Sequence, residues 1–127
     1  MKYSIVVSKS TEFRDEILKQ VKAAKDANGV SIDTWETRSV TFMEKDGTKT
    51  VEDVLVHTTQ AWAETGCVRL VADKESLRHV HAQFYYWDSF PKEQRDGTHA
   101  YYLLGRLTEL ILVHFNSKIT SVMITQN

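Results

Sequence analysis

The stretch that most constrains the fold of this chain runs from Leu77 to His99. Its first part, to Trp87, alternates like a β-strand, with Val80, Ala82, Phe84 and Tyr86 on one side. His79, His81, Gln83, Tyr85 and Trp87 fall on the other side. A polar connection, Ser89 to Gly97, holds the only proline, Pro91, and leads into the most apolar segment of the sequence, His99 to Phe115. There Leu103, Leu107, Leu110, Ile111 and His114 recur at helical spacing, and Leu104, Leu112, Val113 and Phe115 widen the apolar surface. A strand with one apolar face followed by a helix this apolar requires a sheet with a helix laid on it.

The flanking segments extend that plan. Lys2 to Val7 reads as a strand, and Phe13, Ile17, Val21 and Ala24 as the inner face of a helix closed by Asn28-Gly29. Ile32 to Lys45 favours extended structure, and Asp46-Gly47 predicts a two-residue hairpin loop that sets Glu44 opposite Lys49. Thr50 to Gly66 is ambiguous. Val51, Val54, Leu55, Thr58 and Trp62 fit a helix ended by Gly66, while the run Val54 to Thr59 is prone to form a strand. The helix is the preferred reading. Cys67 to Ala72 and Lys118 to Thr125 complete the strands. The order implies a single α+β domain over 1–127. Its sheet is mostly antiparallel, two or three helices pack on one face, and the topology drawn first is a ferredoxin-like sandwich with an insertion.

Composition narrows the classes of function. A formal net charge of −1 removes the basic excess of a nonspecific nucleic-acid binder. No apolar run is long enough to cross a membrane. The single Cys67 forms no internal disulfide and points to a reducing, cytoplasmic setting. In an apolar strand its default is a buried, inert thiol.

The candidate recognition surface is the aromatic and histidine-rich region of residues 79–106, with His79, His81, Tyr85, Trp87, Arg95, His99 and Arg106 as ligand-binding candidates. His79 and His81 project from one face of a strand. With a further ligand such as His57, Asp88 or His99 they would suit a metal, and with Asp88 or Glu93 they would suit acid–base work. Two half-exposed histidines on the wet face of a sheet are the simpler account, so no metal, cofactor or catalytic residue is assigned. The expected function is a non-catalytic module that recognises a protein partner or small ligand. The alternatives are a nucleotide or cyclic-nucleotide binder, in which Tyr85 or Trp87 stacks and Arg95 or Arg106 holds phosphate, and a small histidine-dependent enzyme or metal protein. Gly105, inside the apolar helix, implies close approach of another backbone and motivates a homodimer.

Overall fold

The computed structural model describes residues 1–126. Six strands form one antiparallel sheet in the order β2-β3-β4-β5-β1-β6. They are β1 (Lys2–Val7), β2 (Trp35–Met43), β3 (Lys49–His57), β4 (Gly66–Ala72), β5 (His79–Tyr86) and β6 (Ile119–Thr125). The helices are α1 (Ser10–Ala23), the single turn α2 (Gln60–Ala63) and α3 (Thr98–His114). Among the described residues no helix is long and apolar enough to cross a membrane.

The main core lies between one face of the sheet and helices α1 and α3. Tyr3, Ile5 and Val7 of β1, Leu55 of β3, Val68 and Leu70 of β4, and Val80 and Ala82 of β5 meet Phe13, Ile17, Leu18 and Val21 of α1 there. The same layer takes in Leu103, Leu104, Leu107, Leu110 and Ile111 of α3. Burial of each such side chain contributes about 1.5–3 kcal/mol. The α+β class with helices on one face is therefore as the alternation of β5 and the periodicities of α1 and α3 dictate.

The segment after the hairpin departs from expectation. Residues 49–57 form a strand, not a helix, and only Gln60–Ala63 turns helically. The reason is that both faces of this strand are used. Leu55 points into the main core, while Val54 and Val56 join Cys67 in a second apolar cluster on the opposite face. An α-helix would leave one of those sets without a partner, and it would forfeit the register with β2 that runs from Trp35/His57 to Met43/Lys49. β-branched Val51, Val54 and Val56 favour the same outcome.

The hairpin loop differs too. Glu44 faces Thr48 rather than Lys49, its N–H donating to the Thr48 carbonyl at 2.8 Å, and Lys49 sits opposite Met43. The loop is thus the three residues Lys45, Asp46 and Gly47, in which only Gly47 has positive φ (87°). Freed from Lys49, Glu44 accepts from Arg69 of β4 at 2.8 Å. At the end of α1 the left-handed residue is Ala24 (φ 59°), and Asn28-Gly29 lies in the following turn instead of closing the helix.

Gly66, read as a helix terminator, begins β4. A Cβ there would lie 2.2 Å from the Tyr85 carbonyl oxygen and 2.8 Å from the Phe84 ring, so glycine is what lets β4 and β5 meet. Gly105 is the reverse case, since nothing lies within 4 Å of the Cβ it lacks. No strand among the described residues approaches it. Nor is α3 covered on more than one side by the described residues, for Tyr101, Tyr102, Leu112 and Val113 are exposed.

Candidate functional site

The sheet separates the residues that the sequence suggested as one surface. His79, His81 and Tyr85 lie on the face away from the helices, and Trp87 closes the second apolar cluster there. Its Nε1–H donates to the Ala63 carbonyl at 2.7 Å, and the Arg38 guanidinium lies 5.9 Å from its ring centroid. Tyr85 packs edge-on against Phe42 at 5.2 Å. Arg95, His99 and Arg106 lie on the helix side. Arg95 donates to the carbonyls of Trp87 and Phe90 and so fastens the β5–α3 connection. His99 bonds the Tyr86 hydroxyl at 2.7 Å, within a group of rings that includes Trp62 and Phe90. Stacking Tyr85 or Trp87 and phosphate-holding Arg95 or Arg106 therefore sit on opposite faces.

The His79/His81 pair is not a metal centre in waiting. The imidazole of His81 is engaged at both nitrogens, by the Ser4 hydroxyl at Nδ1 (2.8 Å) and Asp73 at Nε2 (3.0 Å). Asp73 also accepts the N–H groups of Glu75 and Ser76, and these bonds, led by that to His81, hold its carboxyl well below the usual range. Of the suggested further ligands His57, Asp88 and His99, the two histidines are on the other side of the sheet. Among the described residues no three or more His, Cys, Asp or Glu side chains are grouped to hold a metal ion. The chain Ser4–His81–Asp73 has the members of a nucleophile–base–acid relay, but Ser4 is buried and braces β1 against β5, whose residue 81 lies directly opposite it. Cys67 is equally covered, and burial pushes its thiol up to about 12.

A group of accessible polar side chains lines a groove of about 310 Å³ between α3 and the base of the β2–β3 hairpin. Its walls carry His57, Arg106, Glu109 and His114, with Trp35, Thr34, Thr59 and Tyr102 around them. Each is placed by a local necessity. β3 ends at His57 opposite Trp35, whose ring it meets edge-on at 5.2 Å. Tyr102, Arg106, Glu109 and Val113 follow at helical spacing down one side of α3. Tyr102 stacks on Trp62 at 4.1 Å, and its hydroxyl accepts Nε and one terminal nitrogen of Arg106 at 3.1 and 3.0 Å. Glu109 takes another Arg106 nitrogen at 3.2 Å. The Arg106 guanidinium is thereby held in one orientation while staying open to solvent.

His57 is the unusual member. It is only 8% exposed, and the Thr59 N–H donates to its Nδ1 at 3.3 Å. An imidazole nitrogen that accepts carries no proton, so the proton of neutral His57 is on Nε2. Desolvation first, and the positive charge of Arg106 second, lower its pKa and keep it neutral. Among the described residues Nε2–H has no acceptor, but unlike Ser10 Oγ and Arg95 Nε it is not sealed from water, and His57 lines the groove. Opposite it, His114 Nδ1–H donates to Asp26 Oδ2 at 2.8 Å. The N–H groups of Asn28 and Val30 anchor Asp26 Oδ1 at 2.9 Å, and the His114 bond above all lowers the Asp26 carboxyl.

Of the predicted site residues only Arg106 belongs to this groove. His114 carried a legible signal, as the single polar residue on the buried face of an apolar helix, a position that demands a partner. Asp26, its partner, carried none. With the geometry in view, the chain matches no known family model, no curated protein and no solved structure.

Proposed function

We propose that the protein is a non-catalytic binding module that holds a small anionic ligand in the groove beside α3. The observation that carries this reading is His57, a nearly buried imidazole that lines the groove beside Arg106 and whose one free hydrogen-bonding position is a donor. This donor is open to water, so an incoming acceptor exchanges one hydrogen bond for another, a net gain of about 1.5–3 kcal/mol where the acceptor is charged. A carboxylate or phosphate oxygen accepts from Nε2–H while its charge meets the guanidinium, and the Thr34 and Thr59 hydroxyls can donate alongside. Proton transfer is disfavoured at the same place, because Nε2 already holds its proton and the lowered pKa opposes a second. The reading thus keeps a small-ligand module but moves it from the strand face to the helix face.

The scaffold we assign to this module is a ferredoxin-like core carrying the β2–β3 hairpin as its insertion. In support, removing β2 and β3 from the sheet leaves the order β4-β5-β1-β6, with α1 between β1 and β4 and α3 between β5 and β6.

Inorganic phosphate and adenosine monophosphate are suitable probes in a two-dimensional NMR titration. Either should shift the resonances of Thr34, His57, Thr59 and Arg106 together, and raise the melting temperature as RT ln(1 + [L]/Kd) requires. Arg106→Ala, at an exposed helix position, should abolish both responses while leaving the spectrum of the fold intact. A stronger response to the nucleotide would identify a base-recognising site. Absence of any groove shift at tens of millimolar phosphate and of nucleotide would remove the proposal.

A further inference from the structure

Apart from its histidines, the groove is lined by two ionised side chains, and they stand together. Arg106 and Glu109 follow one turn apart on α3, with a guanidinium nitrogen 3.2 Å from Glu109 Oε2. After desolvation, these two charges are what His57 feels, the guanidinium lowering its pKa and the carboxylate raising it. They therefore share its end of the groove. Neither charge is used up by the other. Tyr102 takes two of the Arg106 N–H groups and Glu109 one, and the guanidinium has donors to spare. Among the described residues Glu109 Oε1 has no partner, and the side chain is 66% exposed.

That balance decides which anion suits the groove. Arg106 is the sole lysine or arginine among its described lining residues, and His57 is held neutral. Across the groove His114 is matched by the Asp26 carboxylate. A doubly charged phosphate would bring two negative charges to one cation, beside Glu109. A carboxylate brings one. If the same molecule carries an ammonium group, it meets Glu109 with attraction in place of repulsion.

We propose that the groove takes a free α-amino acid, its carboxylate on Arg106 and His57 Nε2–H and its ammonium on Glu109. This rests on the reading of the groove as an anion site, and it assigns the class of anion and makes Glu109 the residue that selects it. The spacing agrees. An α-amino acid carries its two charges on adjacent carbons, and those of Arg106 and Glu109 lie side by side on one helical turn. An ω-amino acid, with its charges several carbons apart, would have to fold back on itself to meet both. The remaining wall is apolar: Trp35, Leu110 and Val113 line it, and Val113 is 63% exposed, so a hydrophobic side chain has a surface to cover. The space of about 310 Å³ equals roughly ten water volumes, which suits an amino acid of medium size such as leucine.

Two-dimensional NMR titration of the whole chain tests this with L-leucine and its analogues. Isocaproate lacks the ammonium, isoamylamine lacks the carboxylate, and ε-aminocaproate holds the two charges apart. Leucine should move the resonances of Thr34, His57, Thr59 and Arg106 at roughly tenfold lower concentration than isocaproate or ε-aminocaproate, and isoamylamine should move none of them. Glu109→Gln, at an exposed helix position, should erase the advantage of leucine over isocaproate and strengthen the response to phosphate. Isocaproate or ε-aminocaproate binding as tightly as leucine overturns the amino-acid assignment and leaves the anion groove in place, as does a preference for leucine that survives Glu109→Gln. If leucine, isocaproate and phosphate all leave the groove resonances unmoved, the reading of the groove as an anion site falls as well.

Discussion

At the scale of single residues, the ionic group where β3 parts from β4 shows how the fold handles charge. Glu52 accepts Nε and a terminal nitrogen of Arg69 at 3.0 and 2.8 Å, and Arg14 reaches the same carboxylate from α1 at 3.3 Å. Arg69 also lies 4.0 Å from the centroid of Phe42. The Arg69 hydrogen bonds, more than any other cause, lower the Glu52 carboxyl below its ordinary value. A lowered folded-state pKa means that ionised Glu52 stabilises the fold at all pH values above the unfolded one, about 4.3, and that this contribution fades as acid protonates it through the lower folded value. Glu52→Gln should therefore lose roughly 1–2 kcal/mol at neutral pH, discounted for solvent screening. Chemical denaturation across pH should show the two proteins converging below about pH 4. A gap that persists unchanged into strong acid would mean that packing of the side chain, not its charge, was lost. None of this was legible in the sequence, where Glu44 faced Lys49 and Arg69 had no partner, because the three-residue loop that turns Glu44 towards β4 depends on a single backbone dihedral at Gly47.

At the scale of elements, periodicity revealed what lies on one face and failed where both faces are used. α1, α3 and β5 each present one apolar set to one core, and their positions follow from the spacing of those residues. β3 presents Leu55 to one cluster and its neighbours Val54 and Val56 to another, so its apolar residues run consecutively and imitate part of a helical stripe. The candidate groove was hidden for a related reason. It is made by the meeting of β3, α3 and the start of β2, and only one of its charged residues lay in the region rich in aromatics. Gly66 belongs to the same scale, since its necessity comes from a neighbouring strand. Gly66→Ala should cost about 3 kcal/mol or more, because the obstruction is the Tyr85 carbonyl, part of a paired backbone that cannot step aside. Urea denaturation measures this directly, with Gly105→Ala as the control at a glycine that meets nothing. A Gly66→Ala variant as stable as the native protein would show that β4 and β5 can separate there at little cost.

At the scale of the whole molecule, the sheet is held together unevenly. β4 and β5 stay in register from Gly66/Tyr86 to Ala72/Val80, and β1 is paired on both sides. β3 joins β4 only where Leu55 faces Val68, and beyond that point the strands are bridged by Arg14, Glu52 and Arg69 in place of backbone hydrogen bonds. The outer half of the β2–β3 hairpin, from Ser39 to Asp53, is thus tied to the rest by side chains: this ionic bridge, and Val40 and Phe42 at the border of the second apolar cluster. Opening it would expose little of the main core, which keeps only Leu55 from β3 and Trp35 from β2. Segments with few buried apolar contacts open at a lower free energy than the global unfolding. Native-state hydrogen exchange should accordingly show the amides of residues 39–53 exchanging through a partial opening, while those of β1, β4 and β5 exchange only with global unfolding. Glu52→Gln should accelerate exchange in the hairpin more than in β5, since it removes the bridge without touching the β4–β5 ladder. Uniform protection across all six strands would instead make the hairpin an integral part of one cooperative unit, and would count against its being an insertion on a four-stranded core. The groove gives this unevenness a functional meaning. His57 and Trp35 lie at the anchored end of the hairpin, where β2 and β3 are held by the core, so the proposed ligand contacts stay in place while the far end opens.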